Sequence, residues 1–131
     1  MLLDPLLSGY LSEIEHAVGE LADAYVELYE EEIITAGRAN FRIRIRMANE
    51  YLLELNEAVI SETGHIKRLG YRYHFQDRYN NIVFRYDNTP HFPKLVSFPH
   101  HKHIKNQVIE IDPPSIPNVI REASELAKNK A

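Results

Sequence analysis

The sequence predicts an α+β fold: an antiparallel β-meander of about four to six strands, with an N-terminal and a C-terminal helix packed on one face. Three observations carry this. Apolar residues spaced by three and four open and close the chain. Between those ends, short runs alternate apolar and polar residues. The runs are joined by brief Asn, Gly and Asp turns, which bring successive strands together antiparallel.

The first helix covers residues 2–22. Leu3, Leu7, Tyr10, Leu11, Ile14, Val18 and Leu21 form one apolar stripe, with Glu13, Glu15 and Glu20 off it. Asp4 suits the cap, Pro5 suits the first turn, and Gly19 weakens the end. Residues 23–35 fit either element. Their glutamates favour helix and their Tyr, Val and Ile favour strand. We read a strand, with Val26 and Leu28 on one face and Tyr25, Glu27 and Tyr29 on the other. Residues 41–47 are the clearest strand: Phe41, Ile43, Ile45 and Met47 alternate with Arg42, Arg44 and Arg46. Asn49-Glu50 turns the chain. Residues 51–60 return with Leu53 and Leu55 inward and Glu54 and Asn56 on the arginine side. After Thr63-Gly64, residues 65–76 place Leu69, Tyr71, Tyr73 and Phe75 on one face and Arg72, His74 and Gln76 on the other. A loop at 77–81 leads to a strand at 82–86. Pro90, Pro93 and Pro99 then mark an extended segment that excludes a central strand. Residues 108–111 add an edge strand. Ser115 caps a final helix at 116–128, with Ile116, Val119, Ile120, Ala123 and Leu126 or Ala127 buried and Lys128 and Lys130 at its C-terminal end. The whole chain, 1–131, reads as one domain.

The 131 residues contain no cysteine. Disulfides, thiolate chemistry and cysteine-based zinc sites are therefore excluded, and a cytoplasmic protein is expected. The N-terminal MLLDPLLSGY lacks a basic leader and does not read as a signal peptide. No apolar run reaches the roughly 18 residues of a membrane span, so no membrane partner is expected. The net charge is −4, but it is unevenly spread. Residues 1–35 hold nine acids and no Lys or Arg, whereas residues 36–105 hold twelve Lys or Arg and six acids. The basic body suits a phosphate backbone. The acidic head equally suits neutralising that body within the fold.

Five of the seven histidines lie in residues 71–103. Arg42, Arg44, Arg46, Arg72, His74 and Arg85 fall on one predicted sheet face. This is the chemistry of metal-free phosphodiester cleavage. A histidine exchanges a proton with a ribose hydroxyl or leaving oxygen, and arginines stabilise charge building on phosphate. A solvated face with paired charges is the plain alternative. His100 and His103, with His91 and Asp87, offer imidazole and carboxylate ligands. No HExxH pattern or helix presents them, and we assign no metal and no cofactor. Asp87-Asn88-Thr89-Pro90 reads as a turn whose side chains bond nearby backbone, though Asp87 also suits orienting a histidine.

The runs GYRYHFQD, IVFRYDNTPHFP and SFPHHKH resemble the signature of the TumE family, toxin components of type II toxin–antitoxin systems. The likeness extends from the arginine strand through the final helix and is most specific at 71–103. The chain carries Asn80-Asn81 where the family usually has an Asp-Gly hairpin. It carries Phe92 where the family's NAPHHP motif has its second histidine. The resemblance implies an antitoxin partner, a DNA-binding protein encoded by an adjacent gene. The leading expectation is a toxin acting as a metal-independent endoribonuclease on an RNA substrate. His74 would be the acid/base, facing His100, His101 or His103. Arg44, Arg72, Arg85 and Lys102 would hold phosphate, Tyr73 would stack a base, and Asp77, Asp87 and His91 would support the site. Two readings stand beside it: a non-enzymatic binding module whose histidine loop is structural or docks a partner, and a metal-dependent enzyme built on that loop; a homodimer is a further candidate assembly.

Overall fold

A computed structural model describes residues 2–129. Helix α1 (Pro5–Gly19) leads into strands β1 (Tyr25–Thr35), β2 (Arg38–Arg46), β3 (Leu52–Glu62), β4 (His65–Gln76), β5 (Ile82–Asp87), β6 (His101–Ile104) and β7 (Gln107–Glu110), and helix α2 (Ile116–Lys128) closes the chain. The strands form one open sheet in sequence order, each antiparallel to the next. Short turns enforce this meander except between β5 and β6, which residues 88–100 connect. Thr63 and Gly64, at φ 49° and 77°, have the left-handed backbone of a two-residue hairpin turn. Asn49 and Glu50, at φ 59° and 64°, return β2 to β3.

Both helices cover one face. The Asp4 side chain accepts from the backbone N–H of Leu6 and Leu7, and Pro5 occupies the first turn. The stripe Leu7, Leu11, Ile14 and Val18 is buried against the sheet. Ser115 caps α2, whose Ile116, Val119, Ile120, Ala123 and Ala127 are buried. Leu126 is only partly buried. Lys130 lies outside the described residues. From the sheet, Phe41, Ile43, Ile45, Leu53, Leu55, Tyr73, Phe75 and Phe84 complete the core.

The sheet is larger than expected: seven strands rather than about four to six. The additional strand is β6, in the segment read as a proline-stiffened loop. The prolines do stiffen the chain up to Pro99, but they end there. His101, Lys102 and His103 then pair with Asp87, Tyr86 and Arg85 of β5. β6 lies between β5 and β7, so the histidine segment holds an interior position.

Two bulges overturn expected faces. The β3–β4 register shifts so that Ala58 opposes Gly70 and Val59 opposes Arg68. The extra residue, Leu69, turns out and is 40% exposed instead of joining Tyr71, Tyr73 and Phe75 inside. Arg68 turns inward and donates to the Tyr73 hydroxyl at 3.2 Å and to the Pro114 carbonyl. In β1 a shift between Val26 and Leu28 sends Val26 opposite Ile45 and Leu28 opposite Arg44, so these two do not share a face. The displaced Glu27 is free to reach across to β2.

Inside the core, Glu57 accepts from the hydroxyls of Tyr73 and Tyr10, the latter at 2.5 Å. Burial pushes its carboxyl above the usual range, against the opposing pull of both tyrosines and Arg68. The same burial, with Glu57 beside them, pushes both phenols up. This network joins α1, β3 and β4 through buried and half-buried polar groups that bond one another.

Candidate active site

The uncovered face of the sheet carries two rows of side chains, because residues directly opposite across antiparallel strands share a face. One row runs Arg42, Asn56, Arg72, Asp87, His101. The other runs Arg44, Glu54, His74, Arg85, His103. Both cross from β2 to β6.

His74 is 9% exposed, held between two partners. The Gln76 amide donates to Asn80 Oδ1 at 2.9 Å, which turns its own oxygen toward His74 Nε2 at 2.8 Å. His74 therefore carries its proton on Nε2. Its Nδ1 lone pair accepts from Arg85 Nε at 3.2 Å. Burial lowers the His74 pKa, and the Arg85 and Arg72 charges lower it further, against opposing effects of Gln76 and Glu54. The result is a neutral imidazole whose basic nitrogen lies under a guanidinium. Burial and the nearby Arg72 also lower the Arg85 pKa. Among the described residues, no carboxylate lies within 4 Å of the Arg72 or Arg85 guanidinium. These are the two unpaired cations next to His74.

The arginines of β2 are differently placed. Glu27 bridges Arg44 at 3.0 Å and Arg46 at 3.1 Å, and Glu30 stands 3.9 Å from Arg42. The acidic head thus neutralises part of the ladder. The Arg44 side chain remains 44% exposed, and surface pairs of this kind contribute only ~0–1 kcal/mol, so a phosphate can compete for it. Beside Arg42 and Arg72 lies a trough of about 370 Å³, lined also by Asn40, Asn56, Ala58, Gly70 and Asn88. Gly70 leaves it open: the nearest atom to a Cβ placed there is Asn88 Oδ1, at 4.0 Å.

Of the loop histidines, only His101 and His103 share the face of His74. His103 lies on the far side of Arg85, two strand spacings or roughly 10 Å from His74 along the row. His74 and His103 flank Arg85 and do not touch. His101 is 1% exposed; its Nδ1 donates to the Pro99 carbonyl at 3.0 Å, and its Nε2 stands 2.9 Å from Asp87 Oδ1. His103 Nε2 is 3.7 Å from Asp87 Oδ2. Asp87 Oδ1 also accepts from the Thr89 N–H at 3.0 Å, so Asp87 both forms the expected turn and meets the histidines.

A family model described as Toxin TumE matches residues 14–128. The chain belongs to the TumE toxin family. A toxin family implies an antitoxin partner. No curated protein and no solved structure matches the chain. Among the described residues, no helix is long and apolar enough to cross a membrane.

Several residues expected in a TumE-family site lie elsewhere. Tyr73 is fully buried on the helix-covered face, bonded to Glu57, and cannot stack a base. Lys102 opposes Tyr86 on that same face, and its ammonium donates to Glu122 of α2 at 2.8 Å over the Tyr86 ring. It packs against the helix and is turned away from the open face. His100 bonds the core-facing Tyr71 hydroxyl at 2.9 Å, away from His74. Asp77 accepts from the N–H of Tyr79 and Asn81 and organises its own loop. His91 is exposed and lies against Phe92. Gln76, expected on the face of His74 but given no role there, is the residue that orients the His74 ring. Phe92 was also overlooked; its ring lies 4.9 Å from that of His101 and 5.9 Å from that of His103. No local sequence signal announces that contact.

Proposed function

We propose that this TumE-family chain is the toxin of a toxin–antitoxin pair and that it cleaves RNA on the open face of its sheet. The observation that carries the reading is the His74–Arg85 pair: a neutral imidazole whose basic nitrogen is covered by an unpaired guanidinium. A phosphate draws Arg85 off the ring. The uncovered Nδ1 takes the proton of a ribose 2′-hydroxyl, whose oxygen attacks phosphorus as the 5′-oxygen leaves. Arg72 and Arg85 hold the developing charge, with Arg44 exchanging from Glu27 in support. The leaving oxygen takes its proton on the far side of Arg85, where His103 stands. The trough beside Arg72 takes a base in place of Tyr73, and its asparagine amides match the edges of unpaired bases. The protein works in the cytoplasm. Its partner is a DNA-binding antitoxin encoded by an adjacent gene, and a homodimer is consistent with the long open strand β1.

A second reading is metal-dependent cleavage. It is favoured by the contact of His101 with Asp87, which sets two hydrogen-bond acceptors face to face. Incubation of purified protein with RNA tests both. Cleavage by wild type and its loss in His74→Ala support the proton-transfer role. Equal cleavage by the two overturns it. Cleavage that survives a chelator supports the metal-free form, in which His103 itself supplies the second proton, and cleavage that stops supports the ion. The pH profile is a further expected result. His74 must be neutral to act as base, and Glu54, Arg85, Arg72 and Gln76 surround it. The acid limb of kcat/KM is therefore expected below the ordinary imidazole value of 6.5.

A further inference from the structure

We infer that Asp87, His101 and His103 form a binding site for a divalent first-row transition-metal ion. The site is built by the pairing of β5 with β6. Asp87 lies directly opposite His101, and His103 is its diagonal neighbour on the same face. One donor atom from each of the three residues lies within 4.8 Å of the other two, and His101 Nε2 and His103 Nε2 are the nitrogens that face the Asp87 carboxylate. Metal–ligand bonds of about 2.0–2.2 Å put tetrahedral donors about 3.3 Å apart. His101 Nε2 stands 2.9 Å from Asp87 Oδ1 while His103 Nε2 stands 3.7 Å from Asp87 Oδ2, so the two carboxylate oxygens each face one imidazole near that spacing.

The decisive feature is His101. Its Nδ1 faces a carbonyl, which only accepts, so Nδ1 holds the proton. Nε2 is then a lone pair, and it faces a carboxylate oxygen at 2.9 Å. Nε2 is buried and has no aligned hydrogen bond. Two acceptors buried in contact require a positive charge between them. A proton on the N–O axis would give an aligned bond. A cation off that axis, toward His103, satisfies all three donors. The surroundings fit this assignment. A metal-binding imidazole commonly donates its other N–H to a backbone carbonyl, as His101 does to Pro99. The ligating carboxylate is likewise held, by the Thr89 N–H. The Phe92 ring lies edge-on to both imidazoles and covers one side of the site. Two nitrogens and one oxygen, with no thiolate in the chain, suit zinc and its neighbours over calcium or magnesium. Three protein ligands leave a position open for water or a phosphate oxygen. That position adjoins Arg85 and Arg72, which oppose His103 and Asp87 in the two rows.

The assignment stands apart from RNA cleavage, because binding is read without RNA. Were an ion bound, His103 would be one of its ligands, and the ion would acidify a water there that could serve as the second proton donor in place of His103. Untagged full-length protein, stripped with chelator, is titrated with zinc ion by calorimetry. One zinc per chain is expected, bound at least about 100-fold more weakly by His103→Ala. His103 is the least buried of the three, so this variant is chosen to keep the fold, which circular dichroism checks. His91→Ala is expected to bind as wild type does. X-ray absorption of the zinc form is expected to show two imidazole nitrogens in the first shell. No stoichiometric binding by folded wild type, or unchanged binding by folded His103→Ala, overturns the site. Either failure leaves His74 and Arg85 to be judged by the cleavage assay alone.

Discussion

Replacing Arg85 with alanine is expected to slow RNA cleavage by about 10²–10³-fold, the usual loss when one stabiliser of transition-state charge is removed. Arg85 is partly exposed and belongs to no ion pair among the described residues, so the fold should survive. Single-turnover rates at saturating RNA measure the loss. Arg85 also covers His74 Nδ1 and lowers that ring's pKa. The acid limb of the pH profile should therefore move up in Arg85→Ala, toward 6.5. A structural residue would lower activity without moving that limb. Lysine at this position should restore charge but not the guanidinium's planar fork, and should recover only part of the rate.

Glu57→Ala is expected to destabilise the fold by about 2–6 kcal/mol, at about 1–3 kcal/mol for each of the two buried hydroxyls left without a partner. It strands the Tyr10 and Tyr73 hydroxyls in the core. Urea unfolding of the purified variant measures this. Glu57→Gln keeps a carbonyl acceptor and should cost far less. The two can be separated by pH. The Glu57 pKa is raised in the folded state by burial. A raised carboxyl contributes stability that is complete below its ordinary value of 4.5 and is lost as pH rises through the folded value. Wild type should therefore lose stability relative to Glu57→Gln as pH rises above 4.5.

The elements with a clean local period were legible. The Phe41-to-Met47 alternation and the Ile116, Val119, Ile120, Ala123 stripe each have one apolar face, and each folds on that face. The short strand at His101 was not. Its period is hidden because one face buries Lys102 against Tyr86 and Glu122, and the other buries His101 against Asp87. A polar residue buried with a partner looks like a surface residue until the partner's place is known. Leu69 and Val26 misled for a different reason. Each sits at a bulge, and one inserted residue reverses every side chain beyond it. The site was half legible. Arg72, His74 and Arg85 follow from alternation on β4 and β5. The distance from His74 to the later histidines depends on how many strands intervene. Reading β6 as a loop allowed them to fold over His74, whereas strand pairing fixes His103 beyond Arg85.

The central claim is that the open sheet face, away from the helices, is where RNA binds. Amide and side-chain NMR shifts, followed while a short single-stranded RNA is added to the full chain, test it most directly. Shifts are expected at Arg72, His74, Arg85, His103 and the trough residues Asn56 and Gly70, with Lys102, Glu122 and Arg121 on the helix side unmoved. Shifts confined to the helix side, or none at RNA concentrations that saturate the wild type in the cleavage assay, would contradict it.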